Sequence, residues 1–170
     1  MDFSQFKTND WLIVGGGAGM LIFGFLNWTK VSVAGFGSSS GANAFDFFFT
    51  GTIPWLLLVA SAVVTALLVM EKIPKDSLPW PLIILAATGL AAFLLLIRFL
   101  FNPIDGKGFI EDAGGSVGRG VGLILSLLSG LVAAAGGVMS FTASGGNLKD
   151  LTDVNKIKDA FDKDEGDSDD

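Results

Sequence analysis

Four long apolar runs, residues 11–28, 53–70, 80–101 and 117–141, constrain this chain more than anything else in it. Each is 18 to 25 residues long, and Arg98 and Arg119 are the only charges inside them. A helix rises ~1.5 Å per residue, so even an 18-residue run reaches ~27 Å, close to the ~30 Å hydrocarbon core of a bilayer. An unpaired backbone group in hydrocarbon costs several kcal/mol, so such a run must close its own hydrogen bonds. The short alternating segments of a barrel are not seen. The pattern predicts an all-α membrane protein. Its four-transmembrane-helix bundle over 11–141 is preceded by a short N-terminal segment, 1–10, and followed by a tail, 142–170.

Composition supports this reading and narrows the chemistry. Hydrophobic residues make up 51% and glycine adds 23 more, while charged residues are 16% against about 25% in soluble proteins. Beside four spans there is no room for a separate soluble catalytic domain. Cys, His and Tyr are absent, which removes disulfides, thiolate nucleophiles, imidazole bases and the common zinc, copper and haem ligands. No catalytic residue, metal site or cofactor is expected. The net charge of -6 sits mostly in residues 149–170, an acidic end that repels nucleic acid and anionic headgroups.

The span boundaries carry punctuation. Thr8, Asn9 and Asp10 offer caps for the first helix, Thr52 precedes Pro54, and Ser77 precedes Pro79 and Pro81. Trp11, Trp28, Trp55 and Trp80 fall at span ends, where an indole prefers the headgroup level. A run of 18 residues behind one Lys and two Asp reads as a retained span rather than a cleaved signal. With the N-terminus inside, Lys7, Lys72, Lys75, Lys149, Lys156, Lys158 and Lys163 face the cytoplasm, against Lys30, Arg98, Lys107 and Arg119 outside. Both termini are therefore expected in the cytoplasm. The long external loop 29–52 admits two readings. One is a hairpin from residues 30–34 through a Gly-rich turn; the other is an interfacial helix over 44–49 with its phenylalanines against headgroups.

Several features bear on function. Gly15, Gly16, Gly17 and Gly19 lack the preceding strand and following Lys-Ser or Lys-Thr of a nucleotide loop, so they read as helix packing. Gly15 with Gly19, and Gly118, Gly122, Ser126, Gly130 and Ala134, form small-residue faces for another span or a partner. Arg98 is expected to reach toward headgroups, and Asp46, Arg98 and Arg119 to lie on one outer side as an ion-pair or lipid cluster. Thr65, Thr88, Ser126 and Ser129 are the hydroxyls that a pore between copies would need. Beyond Gly145 and Gly146, Leu148, Leu151, Val154, Ile157 and Phe161 recur at three- and four-residue steps, predicting a short cytoplasmic amphipathic C-terminal helix before a solvated acidic tail.

The stretches Phe25-Leu26-Asn27-Trp28, Asn43-Ala44-Phe45-Asp46, Arg98-Phe99-Leu100 with Pro103, and Gly118-Arg119-Gly120-Val121-Gly122-Leu123 carry a resemblance to small four-span membrane proteins of actinobacteria, most of them uncharacterised. The resemblance implies a four-helix bundle in a bacterial inner (plasma) membrane; it supplies no catalytic residue and no substrate. The function expected from the sequence is that of a non-enzymatic accessory, assembly or scaffold subunit of a larger respiratory or cell-envelope complex. Its partners are the lipid bilayer and membrane proteins or further copies of itself, not nucleic acid. A small oligomeric channel or a lipid-binding membrane module is the alternative.

Overall fold

The structure is a computed structural model and describes residues 5–33, 37–75, 77–101, 107–112, 114–153, 155 and 158. Helix α1 spans Thr8–Phe23, followed by strands β1 (Thr29–Val33) and β2 (Gly37–Ser40). Then come α2 (Ile53–Val69), α3 (Trp80–Phe101), a short α4 (Lys107–Asp112), strand β3 (Gly115–Arg119) and α5 (Val121–Ala143). Among the described residues three helical segments are long and apolar enough to cross a membrane: Phe48–Val69, Trp80–Phe101 and Val121–Ala143. At 16 residues, α1 reaches only ~24 Å.

The expected spans and the observed helices agree closely for α2 and α3 and diverge at the other two. Helix α1 opens at Thr8 with Asp10 in its first turn, where the Asp10 carboxylate accepts the Lys7 backbone N–H at 2.9 Å. It stops at Phe23, five residues before the apolar run ends. The Trp28 indole then folds inward, 0% exposed, and donates to the Phe23 carbonyl at 3.2 Å. Trp28 is therefore a core residue and not an interface anchor. Helix α5 begins at Val121 rather than 117, because residues 115–119 are drawn into a strand.

That strand makes the largest correction to the expected all-α class. The sheet has the order β2-β1-β3 and is antiparallel throughout. β1 pairs Thr29 with Arg119, Val31 with Val117 and Val33 with Gly115 on one side, and Lys30 with Ser40 on the other. The loop 29–52 forms the expected hairpin; in place of a helix over 44–49 it has a 3-10 turn at Ala44–Asp46, a break at Phe47 and a π-helical turn at Phe48–Thr52 that leads into α2. Gly120 joins β3 to α5 where a Cβ would collide with the Asn27 carbonyl. The Gly120 and Gly122 N–H groups donate to the Trp28 and Asn27 carbonyls at 2.8 and 3.0 Å. The start of α5 thereby finds backbone acceptors in place of a side-chain cap.

Helices α1, α2, α3 and α5 form an antiparallel ring in which each packs on its sequence neighbour and α5 closes against α1. Met20, Trp28, Leu58, Ala91, Leu95, Leu123, Leu127 and Ala133 fill the core. The ends of α1 and α5 remote from the sheet meet, with Gly136 against the Asn9 carbonyl. At that same end α2 finishes on Glu71, which has φ 55°. The Glu71 and Lys72 N–H groups donate to Leu68 and Leu67 carbonyls in the manner of a left-handed C-terminal cap. A left-handed side-chain-bearing residue costs roughly 1–2 kcal/mol, against the ~0.5–1 kcal/mol extra chain entropy that glycine surrenders on folding. Glu71→Gly is therefore expected to raise stability by up to about 1 kcal/mol, read as a higher thermal midpoint in detergent.

Candidate functional site

Of the small residues named from the sequence, Gly19, Gly122, Ser126 and Gly130 lie in the packed interior between helices, while Gly15, Gly118 and Ala134 do not. Gly15 is exposed and a Cβ there would meet nothing within 4 Å. Its neighbours carry the contacts. A Cβ on Gly16 would lie 2.6 Å from the Ser129 carbonyl and 2.7 Å from Ala133 Cβ, and one on Gly17 would overlap Ala62 and lie 2.6 Å from the Leu58 carbonyl. A Cβ on Gly19 would lie 2.5 Å from Ser129 Oγ.

On α5, Gly118 falls in β3, while Gly122 sits against Leu26 and Asn27 and Gly130 against Leu95. Ser126 is fully buried. Ala134 is only half-buried, and the seam continues instead through Ala133, Gly136 and Gly137. The reason is angular. A strict four-residue step overshoots a 3.6-residue turn by about 40°, so three steps carry the stripe about 120° away from its starting face. The true seam corrects itself by mixing steps of three and four.

The arginines at the sheet end of the bundle are held by aromatic rings and backbone oxygens. Arg98, in the last turn of α3, is 1% exposed, with its guanidinium carbon 3.4 Å above the centre of the Phe47 ring. It turns inward rather than toward the surface, because the turn before α2 brings an aromatic face over it. Arg119 closes the end of α3: its Nε donates to the Phe99 carbonyl at 2.7 Å and its Nη2 to Leu100 at 3.4 Å, with the guanidinium carbon 4.7 Å from the Phe99 ring. A cation there answers both the orphan carbonyls and the negative end of the helix dipole.

Asp46 is engaged locally, accepting the Asn43 N–H at 2.7 Å while Asn43 Oδ1 accepts from Phe45 at 2.9 Å. The structure thus brings both arginines to the end of α3 and gives Asp46 a turn to cap. Phe25, Phe45 and Trp55 form a separate aromatic cluster in tilted and edge-on contact, with ring centres 5.0 to 6.3 Å apart.

The hydroxyls considered for a pore are inside the single bundle. Thr65, Thr88, Ser126 and Ser129 are 3%, 0%, 0% and 8% exposed, and Thr88 donates to the Ile84 carbonyl at 2.8 Å, so none of them lines a passage between copies. Of the C-terminal stripe, Leu148 is exposed and Leu151 half-buried around a 3-10 turn at Leu148–Thr152. Val154, Ile157 and Phe161, with the acidic tail, lie outside the described residues. Gly145, at φ 88°, ends α5, and Asn147 Oδ1 accepts the Lys149 N–H at 3.1 Å, opening that turn.

No group of three His, Cys, Asp or Glu side chains suited to a metal ion occurs among the described residues. The end of the bundle remote from the sheet holds a feature that sequence reasoning missed, a cavity of about 360 Å³ between the ends of α1, α2, α3 and α5. Its lining comes from five separate stretches of chain, and no spacing rule assembles such a set. Comparisons with models of known families, with curated proteins and with solved structures gave no match.

Proposed function

We propose that this chain is a four-span protein of a bacterial plasma membrane with both termini in the cytoplasm, and that it serves as a non-enzymatic accessory, assembly or scaffold subunit of a larger membrane complex. The observation that carries the reading is the glycine seam. Gly16, Gly17, Gly122, Gly130, Gly136 and Gly137 are all spent on contacts within the chain, so the bundle is a self-contained block and presents its exterior. That exterior is apolar along α1 and α5, where Trp11, Ile22, Phe25, Ile124, Leu128 and Val132 are exposed; such faces suit lipid or another transmembrane helix.

Support for the fourth span comes from packing. α1 lies along α5 from Gly136 against Asn9 to Gly122 against Leu26. It therefore shares the depth of a helix long enough to cross, and the turn after Phe23 adds the missing length. Support for the orientation comes from charge. The sheet end holds Lys30, Arg98 and Arg119 and the other end Lys7, Lys72, Lys75 and Lys149, so the Lys-rich end is read as cytoplasmic. The actinobacterial resemblance belongs to the same proposal.

Purification in mild detergent followed by mass spectrometry tests it. A membrane protein retained in stoichiometric amount is expected. Isolation of the chain alone from its native membrane, or unitary conductance after reconstitution into planar bilayers, overturns the reading.

A further inference from the structure

We propose that the cavity at the end of the bundle opposite the sheet is a binding site for a phosphate-bearing anion, and that a glycerophospholipid headgroup fits it better than free phosphate. The site stands apart from the subunit role above and does not depend on it.

The first observation is its floor. Thr65 is 3% exposed, lines the cavity, and its hydroxyl has no hydrogen-bond partner. A buried hydroxyl in a helix ordinarily donates to the carbonyl one turn earlier, as Thr88 does to Ile84 at 2.8 Å. Leaving such a group unsatisfied is unfavourable unless something else bonds it. Thr65 therefore holds an unused donor and acceptor buried directly beneath the cavity.

The second observation is the rim. Lys7 and Lys75 line the mouth with Asn9 and Asp10. The Asp10 carboxylate is already occupied, accepting the Lys7 backbone N–H at 2.9 Å and the Asn9 side-chain N–H at 3.1 Å. Lys75 pairs with Glu71 at 3.7 Å, but both side chains are more than half exposed, and a pair of that kind is readily exchanged for a better partner. The rim thus carries two lysines beside Asp10, with the exposed Glu71 next to Lys75, and lysine is a common point-charge partner for phosphate.

The third is shape. A volume of about 360 Å³ lies within the range of small-molecule sites, and Leu68, Val69, Ile84 and the Trp80 indole supply apolar walls. Thr65 lies four residues before the end of α2, ~6 Å below it along the axis. A bare phosphate held by the lysines leaves the Thr65 hydroxyl unreached. A glycerol-phosphate spans both, with its acyl chains leaving along the apolar wall.

The test uses the full chain in detergent, with phosphatidylglycerol, phosphatidylcholine and inorganic phosphate as separate probes. Readouts are the thermal midpoint and the quenching of tryptophan fluorescence by brominated lipid, with Trp80→Phe isolating the contribution of the cavity wall. Phosphatidylglycerol is expected to raise the midpoint and quench Trp80, with phosphatidylcholine at least about tenfold weaker. A comparable midpoint rise from millimolar inorganic phosphate, lost in Lys7→Gln/Lys75→Gln, supports the anion site and overturns the lipid assignment. Lys7→Gln/Lys75→Gln is expected to weaken phosphatidylglycerol about tenfold.

Thr65→Val, nearly equal in volume, is expected to melt at or above the wild-type midpoint without lipid, while its response to phosphatidylglycerol falls several-fold. Equal responses to the two lipids with none to phosphate, or a full lipid response in both the Thr65 and the double lysine variants, overturns the proposal. Neither result bears on whether a protein partner is retained. Should Thr65→Val fail to fold, the lysine pair, being at the surface, still decides.

Discussion

Gly17→Leu is expected to abolish the folded bundle, and Gly17→Ala to destabilise it by about 1–3 kcal/mol. A single added carbon at this position overlaps Ala62 Cβ and lies 2.6 Å from the Leu58 carbonyl. One of those neighbours is backbone, so relief requires α1 and α2 to separate rather than a side chain to rotate. Separation strips contacts from Leu58, which is fully buried in the core. The intrinsic gain from replacing a mid-helix glycine by alanine, roughly 0.5–1 kcal/mol, offsets only part of the loss.

Gly15 provides the control, because it lies in the same helix with nothing within 4 Å of an added Cβ. Gly15→Ala is expected to be neutral or to stabilise by up to about 1 kcal/mol. Thermal midpoints and size-exclusion profiles in one detergent check the pair. Equal behaviour of the two alanine variants contradicts the α1–α2 packing described above.

Trp28→Ala is expected to cost about 3–5 kcal/mol, the range for removing a large aromatic ring from a core. The indole is 0% exposed and bonded to the Phe23 carbonyl. Its own backbone is bound on both sides, its N–H donating to Ala42 and its carbonyl accepting from Gly120, each at 2.8 Å. Truncation therefore empties the core at the sheet end of the bundle while the backbone bonds to Ala42 and Gly120 remain, and the damage should concentrate at that end. Hydrogen exchange measured by mass spectrometry is expected to rise first in segments 29–33 and 115–123, with α2 and α3 protected until global unfolding. Uniform loss of protection along all four long helices contradicts this placement of Trp28.

The two elements most legible in the sequence were α2 and α3, because each is a long apolar run, broken only by Arg98 in the last turn of α3, that begins beside a proline. The 80–101 run matches α3 residue for residue. The start of α5 was illegible for a definite reason. Gly115-Ser116-Val117-Gly118-Arg119 is apolar enough to extend a hydropathy window, yet it is recruited by β1, some eighty residues earlier, and local periodicity carries no trace of a partner so distant. Trp28 misled through a sound rule, since the indole preference for an interface yields when the chain turns the ring into the bundle core.

The helix-packing role of the glycines was readable, and their register was right at Gly19, Gly122 and Gly130, but the drift of a four-residue step carries it off the seam by Ala134, where Ala133, Gly136 and Gly137 take over. Arg98 and Arg119 were correctly grouped by topology, but Phe47 and Phe99 as their seats required the three-dimensional path of the turn before α2. Thr65 was visible only as one hydroxyl among several. The buried Ser126 hydroxyl lacks a partner as well; what sets Thr65 apart is that it also lines the cavity, which belongs to the folded arrangement alone.

The central strand also sets an order of events during synthesis. β1 emerges early with one edge satisfied by β2, while its other edge must wait for residues 115–119. At about 5–20 residues per second that wait is roughly 4 to 17 s, during which α2 and α3 must be threaded and parked. The last helix therefore does more than complete a ring. Its leading strand fastens the oldest and newest parts of the polypeptide to each other, so a product truncated before residue 115 leaves an open hydrogen-bonding edge, the mark by which a quality-control protease could tell an unfinished chain from a finished one.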